Sequence, residues 1–456
     1  GRGLSEVDSL RAVWGWLEGQ SGYAADTLRM HVLYQLIEAV SSRNPDSVSM
    51  LVERLEDLAR GSSYPAGRGL ASLGWAKVYF SKGEADSLIF RAREALSVLE
   101  EERYGKLRAQ ALSALGTGYY RKGDYDSALT WYERAVSLQR SIGDRRGLAY
   151  LYNNISLIYS AQGRYAEALE YLQKALAILE ALGDKARLAA SYHNIGNIYH
   201  AQGRYAEALE YYQKALAILE ALGDKARLAA SYNNIGTIYH AQGRYAEALE
   251  YLQKALAILE ALGDKARLAA SYHNIGNIYH AQGRYAEALE YYQKALAIRE
   301  ALGDKARLAA SYNNIGAIYH AQGRYAEALE YHQKALAIRE AIGDKAGLAD
   351  SYNNIGNIYS AQGRYAEALE YYRKAIQIWE ALGDKYGLTF SYANAGDLYF
   401  LQGQPHTGRL YFLKALALAR ELNAYDRLQK IYLSLSRMDS ALAASGQAAY
   451  WKTAYE

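Results

Sequence analysis

Glycine stands at positions 83, 123, 163, 203, 243, 283, 323, 363 and 403, nine times in succession at intervals of 40 residues. A fixed period of this size marks a tandem array, in which each unit packs only against its neighbours and the core grows along a line. That arrangement frees a chain of 456 residues from the limit that a single core sets on domain size. Between about 161 and 371 the units are almost copies of one another. One of them, from Gly203 to Gln242, reads GRYAEALEYYQKALAILEALGDKARLAASYNNIGTIYHAQ.

The unit resolves into two helices. From Tyr205 to about Leu222, apolar residues recur at helical spacing (Tyr205, Ala208, Leu209, Tyr212, Ala215, Leu216, Leu219) and mark one buried stripe. Gly223 supplies a left-handed stop, and Asp224 sits where a cap for the next helix belongs. The second helix is predicted from about Lys225 to Ala241, with Leu228, Tyr232, Ile235, Gly236 and Tyr239 on one face. With only three prolines in the chain, little interrupts these helices.

Charge and composition exclude several function classes. A formal net charge of +3 over the whole length leaves no electrostatic footprint for nucleic acid or an anionic membrane. Cysteine is absent, which removes disulfides, thiolate zinc sites and cysteine nucleophiles. No stretch approaches the ~18 consecutive apolar residues of a membrane span, and the Gly-Arg-Gly opening shows no export signal.

The pattern resembles the tetratricopeptide repeat. Tyr192, Ile195, Gly196 and Tyr199 match the aromatic, Leu, Gly and Tyr of that family's helix A, and Tyr205, Ala208, Tyr212 and Ala215 match helix B. The family's usual unit has ~34 residues; the 40-residue unit here is similar to the long-helix variety of kinesin light chains and bacterial signalling proteins. The opening segment (DSLRAVW, then NPDSVSMLVERLEDLAR) resembles the start of bacterial sensor proteins that carry such repeats. The resemblance implies an all-α fold, a right-handed α-solenoid (superhelix) of about eleven antiparallel hairpins. Its expected parts are capping helices over 1–64, nine repeats over 65–424, and a capping hairpin over 425–456 with its turn near Arg437 to Asp439. Together with the missing thiols, it inclines toward an extracytoplasmic location.

Copies within one chain can be compared with each other. Helix A varies at His193, Asn233, His273, Asn313 and Asn353; at Asn197, Thr237, Asn277, Ala317 and Asn357; and at His200, His240, His280, His320 and Ser360. At ~100° per residue these positions fall within an arc of ~60°, roughly 115° from the core stripe. The resemblance puts that arc on the inner groove, which helix A lines in this family. Beside it runs an unvarying ladder of Asn154, Asn194, Asn234, Asn274, Asn314, Asn354 and Asn394. An exposed amide offers donors and an acceptor to the backbone of an extended peptide. In kinesin-light-chain-like repeats asparagines here play such a role. The alternative is a solvated face whose differences are neutral. Variation at 172/212/252/292/332/372 and 219/259/299/339/379, on helix B, reads as packing or outer surface.

Other chemistry is set aside. Equivalent histidines in adjacent repeats stand about 10 Å apart, too far to share a metal ion. Glu210 and Lys214 form a helix-surface pair at i,i+4, and repeated carboxylates of this kind serve solubility rather than catalysis. No phosphate-binding loop, nucleophile elbow or HExxH occurs. The sequence therefore points to a non-enzymatic scaffold with no cofactor and no metal, binding a protein or peptide in its groove, with no nucleic acid and no membrane insertion. A sensory part of a bacterial signalling protein fits that description. The rival is a structural protein whose copies stack end to end into a filament.

Overall fold

A computed structural model describes residues 6–20, 22–40, 45–422 and 424–444. Among these residues there are 22 α-helices, one short 3-10 turn and no strand. They form two compact units, Gly1–Asp224 and Lys225–Glu456. Within each unit the helices pack in sequential antiparallel hairpins, the helix A of a repeat lying most closely against its own helix B.

Helix boundaries follow from local chemistry. Helix B of one repeat spans Tyr205–Leu222, and Gly223 ends it at φ 66°. In the preceding repeat, Gly183 and Asp184 send their N–H groups back to the carbonyls of Glu180 and Leu179, and the Asp184 side chain then accepts from the Arg187 N–H. One glycine thus stops a helix while the next residue caps its successor. Helix A, Lys185–Ala201, closes on Gly203 at φ 71°.

Each hairpin's core is small on one side and large on the other. Ala208, Tyr212 and Ala215 of helix B are fully buried, as are Ile195 and Ile198 of helix A. A Cβ at Gly196 would lie 2.7 Å from the Tyr212 ring, so only glycine lets the tyrosine sit flat against helix A. Buried Ser191 is satisfied within the fold, donating to Asn153 Oδ1 on the previous helix A at 3.0 Å. The outer surface carries pairs such as Lys214–Glu210, 2.7 Å apart.

At the chain's end the structure departs from expectation. The turn predicted near Arg437 to Asp439 is absent, because Tyr425–Ala444 is one continuous helix. Ile431, Leu435, Met438 and Leu442 are all buried along it. They form a single helical stripe through the expected break, so docking holds the segment straight. The remainder of the expected C-terminal hairpin lies outside the described residues. At the other end, helices Tyr23–Val40 and Pro45–Gly61 make the first degenerate hairpin. No helix among the described residues is long and apolar enough to cross a membrane.

Candidate functional site

The first unit carries a groove of about 820 Å3, walled mainly by the A helices Gly67–Lys82, Gly105–Arg121 and Arg145–Ala161 with Tyr23–Val40 at one end. Its floor is a connected polar network. The Tyr34 hydroxyl donates to Gln110 Oε1 at 2.9 Å, Gln110 Nε2 donates to Glu38 Oε1 at 3.2 Å, and Lys77 Nζ lies 3.4 Å from the same carboxylate oxygen. Burial and the neighbouring Glu38 push the Tyr34 phenol well above its ordinary range, so it stays a donor. Farther along, Asp184 Oδ2 accepts from Arg187 at 2.6 Å and faces Arg146 at 3.2 Å. Lys77, Lys106, Arg146 and Arg187 face the acids Glu38, Asp144 and Asp184, giving a polar slot with nearly balanced charge.

Two lining residues, Leu88 and Gln139, come from B helices. Gln139 reaches the groove beside Gly147, where a Cβ would lie 2.4 Å from its amide nitrogen. Gln139 is 7% exposed, and its Oε1 has no hydrogen-bond partner among the described residues. The same row holds Leu179, Leu219, Leu259, Arg299, Arg339 and Trp379 in later repeats, all buried. Where the row carries Gln139, Arg339 or Trp379, the residue eight positions on is Gly147, Gly347 or Gly387, and each glycine leaves room for that side chain.

The residues singled out from the copied repeats are half-buried, except for exposed Asn197, and largely engaged with one another. Leu73, Ser113, Lys77, Thr117 and Phe80, which occupy the same repeat positions as His193, Asn197 and His200, line the first unit's groove. His193 packs on Tyr212 with ring centroids 5.2 Å apart, and the Tyr212 hydroxyl donates to Asn197 Oδ1 at 2.5 Å. His273 packs at a tilt against Tyr292 with centroids 5.4 Å apart, and Tyr292 donates to Asn277 at 2.6 Å. Burial lowers the His193 imidazole to about 4; burial, with Arg299 nearby, does the same to His273. Asn233 accepts from buried Ser271 at 2.9 Å, while Thr237 turns back to the Asn234 carbonyl at 2.7 Å. His200, His240, His280 and His320 rest on Tyr205, Tyr245, Tyr285 and Tyr325 at 5.9 Å, and burial lowers their pKa.

The asparagine ladder is half-buried rather than exposed, Asn234 and Asn274 included. Asn194 Nδ2 points at Asn153 Oδ1 (3.4 Å), Asn314 Nδ2 donates to His273 Nε2 (3.3 Å), and Asn354 Nδ2 donates to Asn313 Oδ1 (2.8 Å). These amides spend their donors between neighbouring A helices and keep their carbonyl oxygens. Sequence reasoning missed the first unit's lining, although a signal existed. Position 110/150/190/230/270/310 reads Gln, Tyr, then four Ala, so the groove chemistry sits where the array departs from its own consensus. Among the described residues no three His, Asp or Glu side chains gather as metal ligands.

A family model described as tetratricopeptide repeat matches residues 107–181, 187–261, 267–341 and 347–421. No curated protein sequence matches the chain. Among solved structures, the chain is similar to a signal transduction ATPase with numerous domains (STAND) with a tetratricopeptide repeat sensor from Pyrococcus horikoshii. That match has TM-score 0.57 and 19% identity and covers 80% of this chain but 55% of that one. It is also similar to the apo quorum sensor NprR from B. thuringiensis (TM-score 0.54, 17% identity, 81% of this chain and 99% of that one). A Rap protein complexed with Competence and Sporulation Factor matches at TM-score 0.50 and 17% identity, over 83% of this chain and 99% of that one. At these identities the likeness is one of fold.

Proposed function

Because the chain belongs to the tetratricopeptide repeat family, we propose that it is a non-enzymatic interaction scaffold that grips an extended segment of a protein or peptide partner along its A-helix face. The observation that carries this reading is the first unit's groove of about 820 Å3, whose polar floor of Tyr34, Glu38, Lys77 and Gln110 comes from the repeats that differ from the copies. A slot of this volume accommodates several residues of a chain. The lining contains no histidine or cysteine, and Glu38 is held by Lys77 and Gln110, so no nucleophile–base pair is poised there.

The ladder supports the same reading as a row of acceptors. Neighbouring A helices repeat at ~10 Å, and an extended chain of the polyproline type rises ~3.1 Å per residue with three residues per turn. Within the second unit, every third backbone N–H of such a segment therefore meets the next repeat, where the Asn314 and Asn354 carbonyl oxygens accept no hydrogen bond among the described residues. The structural neighbours described as a sensor, a quorum sensor and a factor-bound Rap protein make a sensory part of a signalling protein the natural setting.

Light scattering across a dilution series comes first, followed by binding to an array of extended peptides. A single small species, with peptide hits that weaken about tenfold or more in Lys77→Glu and Gln110→Ala, supports the scaffold reading. Polymers that survive dilution, or hits indifferent to both substitutions, overturn it.

A further inference from the structure

Arg299 occupies a position that is leucine in three earlier copies, and it is 5% exposed. Its Nη1 donates to Ser311 Oγ at 2.5 Å and to the Arg307 carbonyl at 3.2 Å, but its Nε is buried with no partner among the described residues. A buried guanidinium needs a counter-charge or a full set of acceptors.

The next repeat shows what Arg299 lacks. Arg339 makes the equivalent bonds to the Gly347 carbonyl and Ser351 Oγ, and its Nε lies 3.9 Å from Asp344 Oδ2. Asp350 lies within electrostatic reach of the same guanidinium. For Arg299 one of these acids is shared and the other is absent. The residue matching Asp344 is Asp304, which is drawn off by Arg307 at 2.6 Å, whereas Gly347 leaves Asp344 free to turn toward Arg339. The residue matching Asp350 is Ala310. Positions equivalent to Ala310, Gln110 and Tyr150, line the groove of the first unit, as does Gln139 from the row that Arg299 belongs to.

His273 and Trp379 carry further buried donors in the second unit that meet no acceptor among the described residues. His273 receives the Asn314 amide at Nε2, which leaves the proton on Nδ1, and Nδ1 has no partner among the described residues. Trp379 Nε1, in the same row as Arg299, is also without one. The unmet groups here are N–H donors, so the group they select is an acceptor carrying negative charge.

Building on the groove reading, we propose that Arg299 forms a carboxylate-binding subsite on the A-helix face of the second unit, filled by an acidic side chain of the partner segment. The incoming carboxylate takes the place that Asp350 fills for Arg339, beside an Asp304 whose carboxylate is engaged by Arg307. Recognition is charge-assisted and directional, since a guanidinium presents its donors in a fixed fork.

The test uses the full chain and substitutions that neighbouring copies already carry. Arginine Nε–H resonances are followed while acetate replaces chloride at constant ionic strength. One cross-peak, identified by its loss in Arg299→Leu, is expected to move saturably with acetate. In Ala310→Asp and Arg307→Gly, which return a carboxylate to Arg299 from within the chain, that peak is expected to start displaced and stay still. Absence of a saturable shift in the parent, or an equal shift in both variants, overturns the subsite. Peptides then separate this inference from the groove reading. Acetate saturation without any peptide binding leaves the anion site standing and fells the groove. Binding peptides that distinguish Glu from Gln about tenfold in the parent, and not in Arg299→Leu, support assignment of the site to the partner's carboxylate. Equal discrimination in both proteins overturns that assignment.

Discussion

The Tyr292 hydroxyl donates to Asn277 Oδ1 at 2.6 Å, tying helix B to helix A of its own hairpin. Tyr372 and Asn357 repeat the bond at 2.6 Å. Where helix B carries Leu252 instead, helix A carries Thr237, whose hydroxyl bonds the Asn234 carbonyl. Where it carries His332, helix A has Ala317, and the imidazole turns to Asn313 at 3.2 Å. The copies thus vary in pairs because one side chain must answer the other across the hairpin.

A double-mutant cycle tests that pairing. Tyr292→Leu is expected to cost about 1–3 kcal/mol, since it leaves a half-buried acceptor unmet. Adding Asn277→Thr, which recreates the Leu252/Thr237 pair, recovers about 1 kcal/mol in urea unfolding. Simple additivity of the two changes counts against the pairing.

Gly347 provides a second check. A Cβ there would lie 2.7 Å from Arg339 Nε, so Gly347→Arg alone is expected to destabilise by about 1–3 kcal/mol. The double change Arg339→Leu with Gly347→Arg restores the combination of Leu259 and Arg267, and thermal melts should return close to the parent. Unrescued loss would mean that the two positions act independently.

Stability should decline in mild acid. His332 is 2% exposed, and burial first, then the charges of His320 and Arg339, lower its imidazole from 6.5 to about 4. Between those values the unfolded chain takes up a proton that the folded chain refuses. Its contribution is therefore complete above about 6.5 and lost as pH falls toward about 4. The difference amounts to about 3 kcal/mol. His332→Leu should flatten the fall of melting temperature across this window, read by circular dichroism from pH 7 to 4.

Surface pairs should matter little. Lys254 and Glu250 meet at 2.6 Å, with side chains 46% and 61% exposed. Lys254→Ala is expected to change stability by no more than about 0.5 kcal/mol. Chemical denaturation at low and high salt would reveal any larger role.

The helices were legible because their signals are local. Gly223 and the apolar spacing from Tyr205 to Leu222 mark a helix end wherever they occur, and the boundaries of Lys225–Ala241 follow in the same way. The Arg437 to Asp439 turn was misread because nothing nearby reveals that Met438 docks in the core, 1% exposed. Half-burial of the asparagine ladder, the reach of Gln139 past Gly147, and the competition between Arg299 and Arg307 for Asp304 belong to the tertiary structure. A 40-residue period states which residues are equivalent, and helical periodicity states which face they share. Which atoms meet is decided only when neighbouring helices close to packing distance, because a hydrogen bond depends on a few tenths of an ångström that sequence spacing does not carry.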